Sequence, residues 1–388
     1  MAFSTITGSG ASDVTSYVGT TGVDSIVFEG NTSNFFVGSN AANDLIAFDN
    51  VAALETGTYT AGTVKGGAGD DTFTDLAGVN LVGTWLNANG GDDVIGQGLA
   101  INALNSTVQG GQGEDTLLIG NGTGTIFNGN RDDDTVTVQG VVNTSTIGGG
   151  QGEDTIATGG AAVTVTNTSW LLGNDDDTFN ETLVNDLGVG NTIDGGDGND
   201  TITVVAATAA DVTINGGAGV DQLNGGAGND SFDGGDGSDR ITGMTDNDVM
   251  TGGASADSFA YTAIAQSIGD TAGDLAAGTV DIITDFTTTS DNIATGALMT
   301  TAGGFNTGAA AGYATFGAAL TAANVLNGAV NEISVVAVGT GTTWTSYLMG
   351  VSAAGAVNVT DFVVQIGATN SYATVAAANA AFVAADLV

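Results

Sequence analysis

A nine-residue pattern recurs along this chain and constrains its fold more than any other feature. The pattern is G-G-x-G-x-D-x-U-x, where U is apolar, and three full copies follow one another over 216–242: GGAGVDQLN, GGAGNDSFD and GGDGSDRIT. Two partial copies continue this run to residue 260. Upstream, the pattern returns every 19 to 23 residues, in copies that begin at 66, 88, 110, 129, 149, 172, 195 and 216. A step near twenty residues predicts a solenoid in which each step is one coil.

The copies differ in quality, and the segments between them are typical of strands. Those at 88, 129 and 172 are degenerate, and weaker copies at 19–27 and 39–47 extend the series toward the N-terminus. Thr, Val and Ile alternate roughly by two between the turns, so we interpret each coil as two strands and two turns. In the coil from 66, DTFTDL is the first strand and NLVGTWLNA is the returning strand. One apolar position is predicted to stack as a core ladder from coil to coil: Phe73, Ile95, Leu117, Val136, Ile156, Phe179 and Ile202.

The charge of the chain predicts a cationic partner. There are 43 acidic residues and three bases, Lys65, Arg131 and Arg240, which give a formal net charge of −40. Such self-repulsion disfavours a compact state, yet 42% of the residues are apolar, which argues against disorder. We therefore expect cations to neutralise the acids on folding, and metal ions suit carboxylates among glycines better than a basic protein does. The same charge argues against nucleic acid and anionic membranes as partners.

Three missing residue types exclude whole classes of site. The chain has no cysteine, histidine or proline, so it forms no disulfide, no thiolate metal site and no histidine-based catalytic triad. It also lacks the H-E-x-x-H and G-x-S-x-G motifs, and we expect it not to be an enzyme. The uncharged run between Asp291 and Glu332 is interrupted by Gly, Thr and Asn. We therefore expect no transmembrane span.

The acidic turns have the composition of calcium sites. Calcium prefers six to eight oxygen ligands from carboxylates and carbonyls, and glycines let a turn adopt dihedrals that aim carbonyls at one point. One turn offers too few oxygens, so each ion is expected between turns of successive coils. The predicted aspartate ligands are Asp71, Asp93, Asp115, Asp134, Asp154, Asp177, Asp200, Asp221, Asp230, Asp239, Asp248 and Asp257. The predicted turn glycines are Gly66, Gly110, Gly149, Gly195, Gly216, Gly225 and Gly234.

Spacing divides these aspartates between two edges of the solenoid. Steps near twenty place the aspartates from Asp71 to Asp200 on one edge, continued by Asp221, Asp239 and Asp257. Where two nonapeptides make one coil, Asp230 and Asp248 fall on the opposite edge. The alternative is that these are ordinary Gly-Asp turns without metal. It is strongest for the copy at 129, where Arg131 could replace an ion by pairing with carboxylates.

On these motifs the chain resembles the RTX (repeats-in-toxin) calcium-binding β-roll family, including S-layer-type surface proteins and the C-terminal domain of serralysins. The resemblance covers about 60–293. It implies an all-β fold, a right-handed parallel β-roll or β-helix solenoid with several Ca²⁺ ions in its turns. The segment VDIITDFTTTSDNI (280–293) resembles the serralysin segment that closes the roll. It implies a C-terminal β-rich cap.

The two ends of the sequence were compared with known secretion signals. The N-terminus lacks a basic region followed by an apolar one, so no cleavable secretory signal is expected there. The tail, YATVAAANAAFVAADLV, resembles the uncleaved C-terminal signal of type I secretion, and it is also compatible with a capping helix. We predict an N-terminal cap with degenerate coils over 1–60, a calcium-binding solenoid over 61–260, and a capping or assembly domain that carries the signal over 261–388.

The predicted function is that of a secreted, calcium-binding structural protein of the bacterial cell surface: an S-layer, sheath or filament subunit. Its partner would be itself, in a polymer or lattice, with cell-surface polysaccharide as a further candidate. The alternative is a calcium-dependent adhesin or a carbohydrate- or ice-binding module, because Thr-rich strands such as TVTV (135–138) could present ordered hydroxyls. A polysaccharide lyase or epimerase is disfavoured, because the chain has no histidine and only three scattered bases.

Overall fold

The fold was analysed in a computed structural model. It describes residues 2–7, 16–29, 32–49, 58–75, 80–97, 100–159, 163–181, 187–205, 210–261, 280–286, 290–294, 305–307, 333–340, 343–350 and 362–370. Within these ranges every helix or strand element is a β-strand. These ranges therefore contain no helix that could cross a bilayer. The chain forms two compact units, Met1–Thr201 and Ile202–Val388. The predicted boundaries at 60 and 260 stay predictions.

Unit 1 is built from two rows of strands. One row, called the first face, consists of β1 (Ala2–Thr7), β3 (Asp24–Glu29), β4 (Thr32–Ser33), β6 (Leu45–Asp49), β7 (Thr58–Thr60), β9 (Thr72–Asp75), β10 (Asn80–Val82), β12 (Val94–Ile95), β13 (Ile101–Leu104), β15 (Thr116–Thr123), β17 (Thr135–Val138), β18 (Val141–Asn143), β20 (Thr155–Thr158), β21 (Thr164–Thr166) and β23 (Thr178–Glu181). The other row, the second face, consists of β2 (Ser16–Val18), β5 (Phe36–Gly38), β8 (Thr63–Ala68), β11 (Trp85–Gly90), β14 (Thr107–Gln112), β16 (Ile126–Arg131), β19 (Thr146–Gln151), β22 (Ser169–Asn174) and β24 (Asn191–Asp197). Strand β25 (Thr201–Thr203) crosses the boundary between the units.

Successive coils of unit 1 are parallel and in register. On the second face, Leu86 pairs with Val64 on one side and with Val108 on the other. Strand β14 pairs with β16 in the same way, and β16 with β19. Side chains of these strands alternate between buried and partly exposed, as expected for a sheet with one face in the core. The predicted parallel β-solenoid is confirmed.

The predicted core ladder is also present. On the first face Phe73 pairs with Ile95, Ile95 with Leu117, and the row continues in register to Phe179. All of these side chains are buried, and so is Ile202. A facing row comes from the second face: Val64, Leu86, Val108, Phe127, Ile147, Trp170 and Ile193. The two rows meet in the interior, where the rings of Trp170 and Phe179 pack edge to face at 4.9 Å.

The returning segment was predicted as one strand, and this prediction is wrong. Strand β10 ends at Val82 and β11 begins at Trp85, because Gly83 takes a left-handed conformation with φ of 57°. The corner then closes through side chains: the N–H of Thr84 donates to Oγ of Ser106 at 3.0 Å. Similar bonds link the corners of later coils. At these corners, opposite the acidic turns, neutral side-chain oxygens rather than carboxylates satisfy the backbone amides.

Unit 2 has its own parallel coils and a set of long strands. One row consists of β26 (Val212–Ala218), β28 (Ser231–Asp236), β30 (Val249–Ala254) and β32 (Asp281–Ile283), and the other of β27 (Gln222–Asn224), β29 (Arg240–Thr242), β31 (Ser258–Ala260) and β33 (Asn292–Ala294). Four more strands follow: β34 (Phe305–Thr307), β35 (Ile333–Thr340), β36 (Thr343–Gly350) and β37 (Phe362–Asn370). Strands β35, β36 and β37 are antiparallel neighbours, and β37 pairs parallel with β32. Every described element after residue 261 is thus a β-strand. The tail over 372–388 lies outside the described residues.

Candidate metal centre

In unit 1 each acidic turn begins at the end of a second-face strand and bends through left-handed residues. In the turn from 66, the second and fourth positions are Gly67 and Gly69, with φ of 120° and 115°. A side chain at such a φ is strained, which accounts for glycine at both positions. Degenerate copies keep the same conformation with residues that tolerate it best. These are Asn89, Asn130, Asp132 and Asp175, all with φ between 68° and 91°.

The first glycine of the pattern is required for a different reason, which sequence reasoning missed. Gly66 has no left-handed φ, but a Cβ there would overlap both the carbonyl oxygen of Ala88 and Oδ2 of Asp71. The same holds in unit 2, where a Cβ at Gly234 would meet Oδ2 of Asp239 and the carbonyl of Gly252. The first glycine therefore leaves room for a carboxylate of its own turn and a carbonyl of the next coil. The seven predicted turn glycines are all buried.

The sixth-position aspartates of unit 1 form a continuous hydrogen-bonded ladder. The N–H of Asp71 donates to Oδ1 of Asp93 at 2.6 Å, and the N–H of Asp93 donates to Oδ1 of Asp115 at 2.8 Å. The same bond recurs in every coil as far as Asp200. Each carboxylate thus satisfies the amide of the preceding coil. The ladder consists of Asp24, Asp44, Asp71, Asp93, Asp115, Asp134, Asp154, Asp177 and Asp200, and all are buried.

Unit 2 carries two such ladders, one on each edge. On one edge Asp221, Asp239 and Asp257 follow one another, and the N–H of Asp257 donates to Asp291 at 3.1 Å. On the other edge the N–H of Asp230 donates to Asp248 at 2.9 Å. The N–H of Asp248 donates in turn to Asp281 at 2.9 Å. Within each unit the aspartates therefore lie in coil order.

Four ladder members were absent from the predicted ligands. Asp24 and Asp44 occupy the sixth position of the weak copies at 19–27 and 39–47, so the signal that finds them was present. Asp281 and Asp291 come from the segment 280–293, which resembles the closing segment of serralysins. They extend the two ladders of unit 2 although neither follows a glycine turn. Only the register of β32 and β33 against β30 and β31 brings them there.

The second oxygen of most ladder carboxylates is buried without a hydrogen-bond donor. These Oδ2 atoms belong to Asp44, Asp71, Asp93, Asp115, Asp134, Asp154, Asp177, Asp230, Asp239 and Asp248. Leaving a buried polar acceptor without a partner costs about 1–3 kcal/mol, and more for a charged group. Where the turn begins with a glycine, as at Gly66 and Gly110, this oxygen lies beside that first glycine of its own turn. Anionic and neutral oxygens with no competing donor are the ligand set that suits calcium.

Burial and mutual repulsion raise the pKa of these carboxyl groups. Burial is the main cause, and it raises the pKa of Asp93 to about 8, with further contributions from Asp115 and Asp71. The pKa of Asp134 also rises to about 8 and that of Asp115 to about 7, for the same main reason. The hydrogen bond from the preceding coil lowers each value but does not offset burial. Stacked carboxylates in this setting are stable as anions only beside a cation.

An outer row of acids accompanies the inner ladder. At the fifth position the N–H of Asp92 donates to Oδ1 of Asp70 at 3.1 Å, and that of Glu114 to Asp92 at 3.0 Å. These side chains are exposed, in contrast to the buried sixth position. Within the described ranges, no three carboxylates converge as a ready-made cation cluster. A shell of six to eight oxygens at these turns would therefore need main-chain carbonyls as well as aspartates.

The turn from 129 is not neutralised by its own arginine. Arg131 is exposed at the end of β16, and no carboxylate of the described residues lies within ion-pair distance of it. Asp134 of the same turn remains buried and in the ladder, with its Oδ2 unpartnered. The alternative in which Arg131 replaces an ion thus has no contact to support it.

Comparison with known families agrees with this geometry. A family model described as the RTX calcium-binding nonapeptide repeat matches the chain in four copies, over 56–82, 190–205, 203–232 and 233–261. The parallel coils and glycine turns lie where these copies fall. The chain contains RTX calcium-binding nonapeptide repeats. A search of the curated proteins finds no match.

The matched segments are calcium-binding repeats of the RTX type, and the structure continues the same coils beyond them. Residues 83–189 lie between the matched segments, yet strands β11 to β23 continue the same coils there. The turn from 110 is a full copy of the pattern, and its aspartate, Asp115, is in the ladder. The family match therefore indicates the kind of repeat, and the register of the coils indicates how far it runs.

In chelator, the fold is expected to lose stability as pH rises. The ladder aspartates bind protons more tightly when folded than when unfolded, where the pKa is 3.8. Between about pH 4 and 8 the folded state holds more protons, so the free energy of unfolding falls as pH rises through that window. Circular dichroism in chelator at a series of pH values from 5 to 8, with thermal melts wherever strand signal remains, measures this loss. Asp115→Asn, which keeps a side-chain oxygen but no charge, should reduce it.

The exposed neighbour provides the control for this experiment. Glu114→Gln removes the same charge from the outer row and should leave the pH dependence of the melting temperature unchanged. Equal pH dependence in Asp115→Asn and the unmodified protein would contradict the assignment of that dependence to the buried ladder.

Proposed function

We propose that this RTX protein is a secreted, calcium-loaded structural protein of the bacterial cell surface, a subunit of an S-layer, sheath or filament. The observation that carries the proposal is the ladder of buried carboxylates along the coils, with unpartnered Oδ2 atoms. Such ladders make the scaffold itself dependent on calcium, and most of the described chain is scaffold. Self-association would use that rigid, repetitive surface.

The ions would be held between the acidic turns of successive coils. The ligands would be the predicted ladder aspartates, Asp71 to Asp257, together with carbonyl oxygens of the turns that begin at Gly66, Gly110, Gly149, Gly195, Gly216, Gly225 and Gly234. Bound calcium would supply positive charge to carboxylates that repel one another. The glycine at the first position leaves space beside Oδ2 and the next coil's carbonyl, so that both oxygens could reach the same ion.

The difference in calcium concentration between the inside and the outside of the cell would make folding follow export. RTX repeats are typical of extracellular proteins exported by type I secretion, and extracellular calcium modules bind with Kd values of about 10⁻⁴–10⁻³ M. A chain with a formal charge of −40 would remain unfolded where calcium is scarce and fold once outside. The low-charge segment 261–388, with eight acids and no base, would provide the assembly contacts. No catalytic role is proposed.

One observation favours the second candidate, a calcium-dependent adhesin or carbohydrate- or ice-binding module. On the first face Thr116 pairs with Thr135, Thr135 with Thr155, and Thr155 with Thr178, and the first three are exposed. The strand spacing sets these threonines about 4.8 Å apart. A row of hydroxyls at a fixed repeat could recognise an ordered surface.

One experiment separates the two functions. Calcium is titrated into the full chain from chelator to about 10 mM, a range that brackets weak extracellular sites, while light scattering and negative-stain microscopy report particle size. Ordered assemblies that appear with calcium and dissolve with chelator are the expected result. A calcium-folded chain that stays monomeric at high concentration would overturn the structural role and favour the adhesin.

A further inference from the structure

A cleft on the outside of the second face lies where four acidic turns begin, and apart from Asn87 it is lined by the second and third residues of those turns. It has a volume of about 540 Å³ and lies across strands β8, β11, β14 and β16. Its lining comprises Gly67, Ala68, Asn87, Asn89, Gly90, Gly111, Gln112, Asn130 and Arg131. Side-chain amides, an arginine and glycine backbone therefore dominate. In a chain with 43 acids, no carboxylate is among these residues.

The side chains around the cleft are held in place by one another. Nε1–H of Trp85 and Nδ2–H of Asn87 both donate to Oε1 of Gln109, at 3.0 and 3.3 Å. Nε2–H of Gln109 donates to Oδ1 of Asn130 at 3.4 Å. Nζ of Lys65 lies 5.1 Å from the ring centroid of Trp85, within cation–π range. These side chains are partly exposed, so they are ordered and still accessible to a ligand.

Register places two cations at opposite sides of this amide network. Lys65 pairs with Asn87, Asn87 with Gln109, and Gln109 with Asn128. Arg131 lies three residues after Asn128 on the same strand. Lys65 and Arg131 are therefore three strands apart, about 14 Å across the sheet. They are two of the three basic residues of the whole chain.

We infer that this cleft binds an acidic polysaccharide. Amide groups of Asn87, Asn89 and Asn130 can exchange hydrogen bonds with sugar hydroxyls, and the partly exposed Trp85 offers an aromatic surface to a sugar ring. Arg131 and Lys65 can pair with carboxylates of the sugar chain. Nucleic acid fits poorly, because its dense phosphates need many basic contacts. The inference rests on the proposed function only for where the polysaccharide is encountered.

Calorimetry with the calcium-loaded full chain tests this inference, with oligogalacturonate as the acidic probe and dextran as the neutral one. The double variant Lys65→Gln/Arg131→Gln should weaken oligogalacturonate binding by about tenfold or more, since hydrogen bonds to charged groups contribute about 1.5–3 kcal/mol. Arg240→Gln is the control for loss of a basic side chain elsewhere: it removes one positive charge from unit 2, where Arg240 bonds Thr242. It should change the affinity by less than about twofold.

Three results would overturn the inference: no oligogalacturonate binding by the unmodified protein, equal weakening by Arg240→Gln, or equal affinity for dextran. Calcium-dependent circular dichroism of each variant verifies that it folds. Assembly is measured separately by light scattering. If the protein assembles but binds no oligogalacturonate, the inference about the cleft fails and the structural function stands. If it binds oligogalacturonate but never assembles, the structural function fails and the inference about the cleft stands.

Discussion

Removing calcium at neutral pH is expected to abolish the β-strand circular dichroism of this protein, and restoring calcium is expected to return it. The buried ladder provides the physical reason. In chelator the folded chain must hold a buried row of aspartates such as Asp93 and Asp134, either as mutually repelling anions or with bound protons, against a net charge of −40. Since calcium binds the folded coils and not the extended chain, its binding free energy becomes folding free energy. Each site filled at a hundred times its Kd adds about 2.7 kcal/mol.

The measurement is a calcium titration of the far-ultraviolet signal and the thermal midpoint. With one site's contribution, the midpoint should rise by about 5–10 °C, and several sites should add to this. Magnesium at equal concentration is the control, because it requires smaller octahedral shells and gives up water reluctantly. It should restore little of the signal. Full strand signal in chelator at pH 7 would contradict metal-coupled folding.

The second large effect, on the free energy of unfolding, is expected from substituting one of two adjacent glycines in the turn from 88. Gly91 has φ of 121°, and a Cβ there would overlap the carbonyl of Gly69 in the preceding coil. A left-handed φ costs an alanine about 1–2 kcal/mol, and the overlap adds an overpacking cost of similar size. Gly91→Ala should therefore lower the free energy of unfolding by at least about 2 kcal/mol. The midpoint of the calcium-loaded protein should fall by about 4–8 °C.

Its neighbour serves as the matched control. A Cβ at Gly90 would make only ordinary van der Waals contacts. Its nearest neighbours would be the carbonyl oxygens of Gln112 and Gly67, each 3.9 Å away. Gly90→Ala should change the free energy of unfolding by less than about 0.5 kcal/mol. Differential scanning calorimetry of both variants in calcium measures the pair. Equal destabilisation would mean that the turn does not have the conformation described for it.

Much of the fold could be predicted because the spacing of the repeats indicates which residues of successive coils pair with one another. The nine-residue pattern and the step near twenty residues were enough to predict parallel coils, the stacked row from Phe73 to Phe179, and the grouping of the aspartates. Each coil contacts only its neighbours, so local spacing carries long-range information. Calcium-binding repeats were predictable for the same reason, since the acid and the glycines lie within six residues.

Details that depend on contacts between coils could not be predicted. The returning strand breaks at Gly83, because a corner there lets the amide of Thr84 reach a hydroxyl on the next coil. Asp281 and Asp291 enter the ladders only through strand register.

The sequence by itself determined the kind of coil, its period and the acidic character of its turns, because these depend on residues close together in the chain. Tertiary structure decided which groups share space. It alone shows that the first glycine, as at Gly66, makes room for a carboxylate and a neighbouring carbonyl. It alone also brings Asn87, Gln112 and Arg131 from three different coils to one cleft. Stacking a coil every 4.8 Å or so converts residues far apart in sequence into neighbours.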